Sequence, residues 1–172
     1  FGFLFEDVIA NHFQVLLCIG MAFALTGFVL LLSEVAPHRK QTIWRRRKLT
    51  TRSAVFIGLA QALALVPGLS RSGLTISAGR MMGLERKDAL DFSFLMAVPI
   101  IAGASAITLL DVFMGEVTLP PLHITLVAIV TSFLVSVISI LWLRKFVVHR
   151  SLAWFSPYLF AVAGLTIALS LQ

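Results

Sequence analysis

Charge is scarce in this chain. Only 13% of its 172 residues are Asp, Glu, Lys or Arg, against about 25% in ordinary soluble domains. A free-standing soluble domain is thereby excluded. Cysteine is nearly absent: Cys18 is the single one, inside an apolar run. It excludes an intrachain disulfide and is expected to be a buried, inert thiol. Strictly alternating segments are missing too, which argues against a closed β-barrel, whose strands alternate over about ten residues. There is no G-x-x-x-x-G-K-[ST] phosphate loop. No Ser-His-Asp or paired-carboxylate arrangement can be read from spacing. His12, His38, His123 and His149 are scattered near segment ends, and no metal cluster is visible in them.

Hydrocarbon is what the chain has in abundance, with 59% apolar residues in long, non-alternating runs. Backbone groups in lipid must be paired internally, so the fold class expected is an all-α membrane protein, a polytopic helical bundle. The formal charge of +6 is not a nucleic-acid signature, because no recognition module accompanies it. Seven of the 14 basic residues (Arg39, Lys40, Arg45, Arg46, Arg47, Lys48 and Arg52) sit in one stretch. Residues 33–52 therefore suggest a cytoplasmic loop that obeys the positive-inside bias and meets anionic lipid.

Val8 to Ser33 contains no Asp, Glu, Lys or Arg and is long enough to span. Further full spans are expected from about Asp88 to Phe113, from Leu122 to Leu143 and from Leu152 to Leu171. Asp88 would cap or begin its helix. Gly103, Ala104, Ser105 and Ala106 would offer a small-residue face for close packing. Between the first two spans lie two short apolar segments, Ala54–Val66 and Leu74–Leu84, separated by Pro67-Gly68-Leu69-Ser70-Arg71-Ser72-Gly73. The first would reach roughly 20 Å, short of a 30 Å hydrocarbon core. Two half-length helices around a Pro/Gly break suggest a re-entrant hairpin over residues 54–84. One long kinked helix is the alternative. The hairpin places every basic cluster, including Arg86, Lys87, Arg144 and Lys145, on one side of the membrane, and a single crossing does not.

The turn carries the chemistry. Arg71 cannot deprotonate to escape burial, and its planar fork suits phosphate oxygens. Ser70 and Ser72 add hydroxyl donors. Gly68 and Gly73 would let backbone N–H groups approach a ligand closely. A helix expected from Leu74 would add its positive end, with the Thr75 hydroxyl in its first turn. Together these residues suggest an anion cradle. The bland alternatives are that Ser72 or Thr75 is a plain helix cap and that Arg71 pairs with Asp91, Asp88 or another acid. Gln61, on the entering half-helix, is either a site residue or an interhelical hydrogen bond.

At these residues the sequence resembles the bacterial undecaprenyl-diphosphate phosphatase family, the bacitracin-resistance type. The matching pattern is P-G-x-S-R-S-G-x-T from Pro67 to Thr75, with Gln61 six residues ahead of it. A second match is Asp91-Phe92-Ser93-Phe94-Leu95, followed by Pro99, against a family E-F-S-F-L-x-x-x-P pattern. The resemblance implies hydrolysis of undecaprenyl diphosphate to the monophosphate, which recycles the lipid carrier for cell-wall synthesis and confers bacitracin resistance. It also implies a plasma-membrane location, a divalent cation (Mg²⁺ or Ca²⁺) and one half of an inverted repeat plus flanking spans.

Arg71, Ser70, Ser72 and Thr75 would act on the transferred phosphoryl group. Gly68 and Gly73 would line the phosphate site, with Gln61 behind it or near the metal. The family's E-x-x-x-E and S-S-T-G-H segments do not occur in this sequence. The likeness is therefore to the family's C-terminal part. Metal ligands and nucleophile are expected from an N-terminal part, and the 172 residues alone are expected to be inactive. Where the family often has Tyr-Arg near its end, Tyr158 is followed by Leu159. The expected partners are a polyprenyl diphosphate, membrane lipids and, as one option, a second copy in a homodimer. A transporter or flippase for an anionic lipid or solute is the alternative function, since broken helices at membrane depth serve transport as well.

Overall fold

The computed structural model describes residues 16–35 and 50–171. His12, His38 and the basic residues from Arg39 to Lys48 lie outside the described residues. So does all of the basic loop except Ser33–Val35 and Thr50–Arg52. The described residues form six α-helices and one short 3-10 helix, with no strand among them. The helices are α1 (Leu16–Val35), α2 (Thr51–Leu63), α3 (Arg71–Met81), α4 (Arg86–Phe113), α5 (Leu122–His149) and α6 (Ser156–Ser170). The 3-10 turn, Leu152–Phe155, leads into α6. By length and composition, α1, α4, α5 and the Leu152–Ser170 segment can each cross a membrane. This is a multi-pass, all-α membrane protein. The two short helices, α2 and α3, pack against each other, and α3 also packs against α1.

Helix limits follow local chemistry. Thr50 caps α2 by accepting from the Ser53 N–H at 3.2 Å. The third helix begins at Arg71, three residues before the expected Leu74, because Ser70 is its cap. Asp88 lies buried in the first turn of α4, which starts two residues earlier, at Arg86. Pro157 falls in the first turn of α6, where its missing N–H has no helical partner to lose. Trp154 is exposed, with the Arg150 guanidinium 5.6 Å from its ring centre. That pairing suits a side chain at a membrane interface.

The chain divides into two compact units, Phe1–Ser93 with Arg150–Gln172 and Phe94–His149. In the second unit, α5 and the rest of α4 expose apolar side chains all round. An all-round apolar surface is what a membrane-spanning helix carries. The Gly103–Ala106 face is exposed, and a Cβ added at Gly103 would meet nothing within 4 Å.

In the first unit, small residues set the spacing. A Cβ at Gly20 of α1 would lie 2.6 Å from Ile167 and 2.7 Å from Thr166 of α6. The Ser156 hydroxyl donates to the Gly27 carbonyl of α1 at 2.9 Å, with the bond buried. Lipid tails are as apolar as a helix face, so close packing and such polar ties hold these helices together more than burial does. A charged knot closes one end of the unit. Glu34 at the end of α1 accepts from Arg86 at the start of α4 and lies 4.0 Å from Arg80 near the end of α3. Ser151 is beside the same carboxylate.

Candidate functional site: the Arg71 turn

The chain between α2 and α3 makes a tight descent held by backbone bonds from Val66 to Leu63 and from Leu69 to Val66. Gly68 sits at φ +91°, and a Cβ there would lie 2.8 Å from the Ile19 carbonyl oxygen and 3.0 Å from Ala22. The close approach that glycine permits is thus to α1. The same helix supplies a clamp. Thr26 is fully buried, donates to the Ala22 carbonyl at 3.0 Å and accepts from the Ser70 N–H at 3.2 Å.

Ser70 then starts α3. Its hydroxyl oxygen accepts from the Gly73 N–H at 3.1 Å, and its carbonyl accepts from the Leu74 N–H at 2.9 Å. Gly73 therefore gives its own N–H to the cap. A Cβ at Gly73 would crowd Ser70 at 3.0 Å and Thr26 at 3.3 Å. Accepting uses a lone pair, so the Ser70 O–H remains able to donate. The N–H groups of Arg71 and Ser72 precede the first helical bond and have no backbone partner among the described residues. The Ser72 hydroxyl makes no hydrogen bond among the described residues.

Arg71 is the focus. Its Nη2 is buried and has no hydrogen-bond partner, and no carboxylate forms a salt bridge with it among the described residues. The alternative, a pairing of Arg71 with Asp88 or Asp91, does not occur. The Arg71 side chain as a whole is part-buried, and the helix N-terminus beside it adds further positive potential. Oε1 of Gln61, on α2, is likewise buried without a partner.

Thr75 is placed differently from the expectation of a donor facing the ligand. It is 1% exposed, its hydroxyl donates to the Arg71 carbonyl at 2.8 Å, and it lies 2.6 Å from the Ser93 hydroxyl of α4. Thr26, Ser93 and the Glu34–Arg80–Arg86 knot are the polar residues missing from the sequence-based set. Thr26 had a signal, being the only hydroxyl in the apolar run from Leu16 to Leu32.

No group of three His, Cys, Asp or Glu side chains placed to hold a metal occurs among the described residues. The described residues by themselves do not fit a resident divalent cation.

Fold and turn together define a multi-pass helical membrane protein with an arginine at the start of a half-length helix, its Nη2 buried without a partner among the described residues. The chain belongs to the family described as Bacitracin resistance protein BacA, which it matches over residues 1–165. It is 38% identical over 168 residues to an undecaprenyl-diphosphatase of a Nocardioides species, covering 98% of this chain and 60% of that protein. It is 42% identical over 159 residues to the Nocardia farcinica undecaprenyl-diphosphatase, covering 91% of this chain and 50% of the relative. The Corynebacterium glutamicum undecaprenyl-diphosphatase is 39% identical over 173 residues, with coverages of 99% and 57%. The chain thus spans between 50% and 60% of the length of these relatives.

Proposed function

We propose that this chain provides the phosphate-binding turn of an undecaprenyl-diphosphate phosphatase, a membrane hydrolase that returns the lipid carrier to its monophosphate form for cell-wall synthesis. The observation behind this reading is the buried, unpartnered Nη2 of Arg71 at the start of α3. A diphosphate headgroup supplies the missing charge. Its polyprenyl tail is compatible with a site set among apolar helices.

Phosphoryl transfer depends mainly on positioning and on donors aimed at developing charge. Arg71 would grip the oxygens of the transferred phosphoryl group, bidentately where the fork allows. The hydroxyls of Ser70 and Ser72 would donate to the same group, joined by the free N–H groups of Arg71 and Ser72. Gly68 and Gly73 would shape the phosphate site through the bend and the cap, without direct contact. Gln61 would lie behind this set, and Thr75 would hold the turn. A divalent cation belongs to this reading as a family expectation. Resistance to bacitracin would follow from removal of the diphosphate lipid.

The test is phosphate release from undecaprenyl diphosphate by membranes expressing the complete gene. Arg71→Ala should lower release at least about 100-fold, as loss of one preorganised charge donor does elsewhere, with insertion unchanged. Wild-type turnover by that variant, or lipid movement across sealed vesicles with no phosphate release, would overturn the proposal.

A further inference from the structure

We infer that Ser93 is a positioning residue for the anion site, acting through Thr75 on the peptide unit between Arg71 and Ser72. The inference rests on the anion-binding reading of Arg71. Thr75 has one hydroxyl proton. Its Oγ1 lies 2.8 Å from the Arg71 carbonyl oxygen and 3.4 Å from that of Ser72. A carbonyl only accepts, so the Thr75 proton is committed there. Ser93 Oγ lies 2.6 Å from Thr75 Oγ1 and has no other hydrogen bond among the described residues. With the Thr75 proton taken, Ser93 must be the donor of that bond. The result is a one-way chain, Ser93 O–H to Thr75 O–H to Arg71 C=O. Thr75 is 1% and Ser93 2% exposed, so water does not compete with it.

The end of this chain is the informative part. The Arg71 carbonyl and the Ser72 N–H belong to one planar peptide unit, and in a trans peptide they point in opposite directions. Thr75 pulls on the carbonyl from within the helix. The Ser72 N–H therefore points out of the helix start, toward the position proposed for the anion. Hydrogen bonds in series polarise one another, most of all in a low-dielectric setting. Ser93 thus fixes the plane of this peptide and strengthens its N–H as a donor. It does so from α4, a different helix, and its own hydroxyl need not touch substrate.

The probe is farnesyl diphosphate, titrated into the protein in nanodiscs. Ser93→Ala and the near-isosteric Ser93→Cys should each weaken binding roughly three- to tenfold, the effect of losing one buried hydrogen bond. Ser93→Thr, which keeps the donor, should stay within about twofold. Thr75→Val should weaken binding similarly, and adding Ser93→Ala to it should change nothing more. The amide proton of Ser72 should move upfield in Ser93→Ala. If Ser93→Ala fails to fold, the Cys variant decides. Binding by the Ala and Cys variants at wild-type strength would overturn the inference, as would a Thr variant as weak as Ala. In those cases loss of binding in Arg71→Ala would leave the anion reading standing. Undiminished binding by Arg71→Ala would sink that reading and the inference with it.

Discussion

The Ser70 N–H bonds to Thr26 across 44 residues of sequence, and Gly68 rests on the Ile19 carbonyl of the same helix. Each contact depends on a single atom. Thr26→Val keeps the shape and deletes the acceptor, which strands a part-buried N–H at the edge of the site. That loss costs about 1–3 kcal/mol. The expected result is a lower melting temperature in detergent and weaker diphosphate binding, with both restored in Thr26→Ser. Gly68→Ala meets two penalties, the left-handed φ and a Cβ 2.8 Å from a backbone oxygen. Strain at such positions runs to about 1–3 kcal/mol before the clash is counted. It should destabilise the protein more than Gly58→Ala, where a Cβ meets nothing within 4 Å. Thermal unfolding of the two variants side by side checks this. The chemical character of the turn was legible from Arg71 and its flanking hydroxyls. Its support was not, because a lone threonine in an apolar span does not announce the residue it will face.

Elements were readable where apolar length decides and ambiguous where a cap decides. The C-terminal end of α4 and the start of α5 follow from run length and from the short loop that ends in Pro120-Pro121. The start of α3 does not, because Ser70, Ser72 and Thr75 can each cap a helix. The tie from the Ser70 N–H to Thr26 and its bond from Gly73 select Ser70. The Glu34–Arg80–Arg86 knot is likewise hidden, since Glu34 and Arg86 stand 52 residues apart. The two arginines in it are not equivalent. The Arg80 side chain is 6% exposed and that of Arg86 32%. Glu34→Gln removes the carboxylate that both guanidiniums share, so it should destabilise more than loss of either arginine contact alone. Arg86→Gln removes a partly exposed partner and leaves Arg80 beside Glu34, so about 1 kcal/mol or less is expected. Unfolding in mixed micelles should rank Glu34→Gln well below Arg86→Gln. Equal losses would mean that Arg80 does not depend on Glu34.

At the scale of the molecule, the question is whether residues 54–84 cross the membrane or return. At 1.5 Å per residue, α2 reaches roughly 20 Å and α3 roughly 16 Å, each short of a 30 Å core. The charged knot adds a constraint that parity of basic residues could not supply. Glu34 lies at the end of α1, just before the basic loop that leads to α2, while Arg80 and Arg86 lie where α3 ends and α4 begins. A segment that crossed would separate these groups by the thickness of the bilayer. A segment that returns brings them together, as they are here, with Ser151 arriving at the same place ahead of α6. Within the first unit, the helix ends that carry Glu34, Arg80, Arg86 and Ser151 lie together, which is the arrangement a returning segment requires. In a Cys18→Ser background, single cysteines at Arg52, Lys87 and Arg150 should all react with an impermeant thiol reagent from the same side of sealed vesicles. Labelling of Lys87→Cys from the face opposite Arg52→Cys would mean that the segment crosses. Arg71 would then lie partway along a kinked span, and the turn could not be the tip of a returning hairpin.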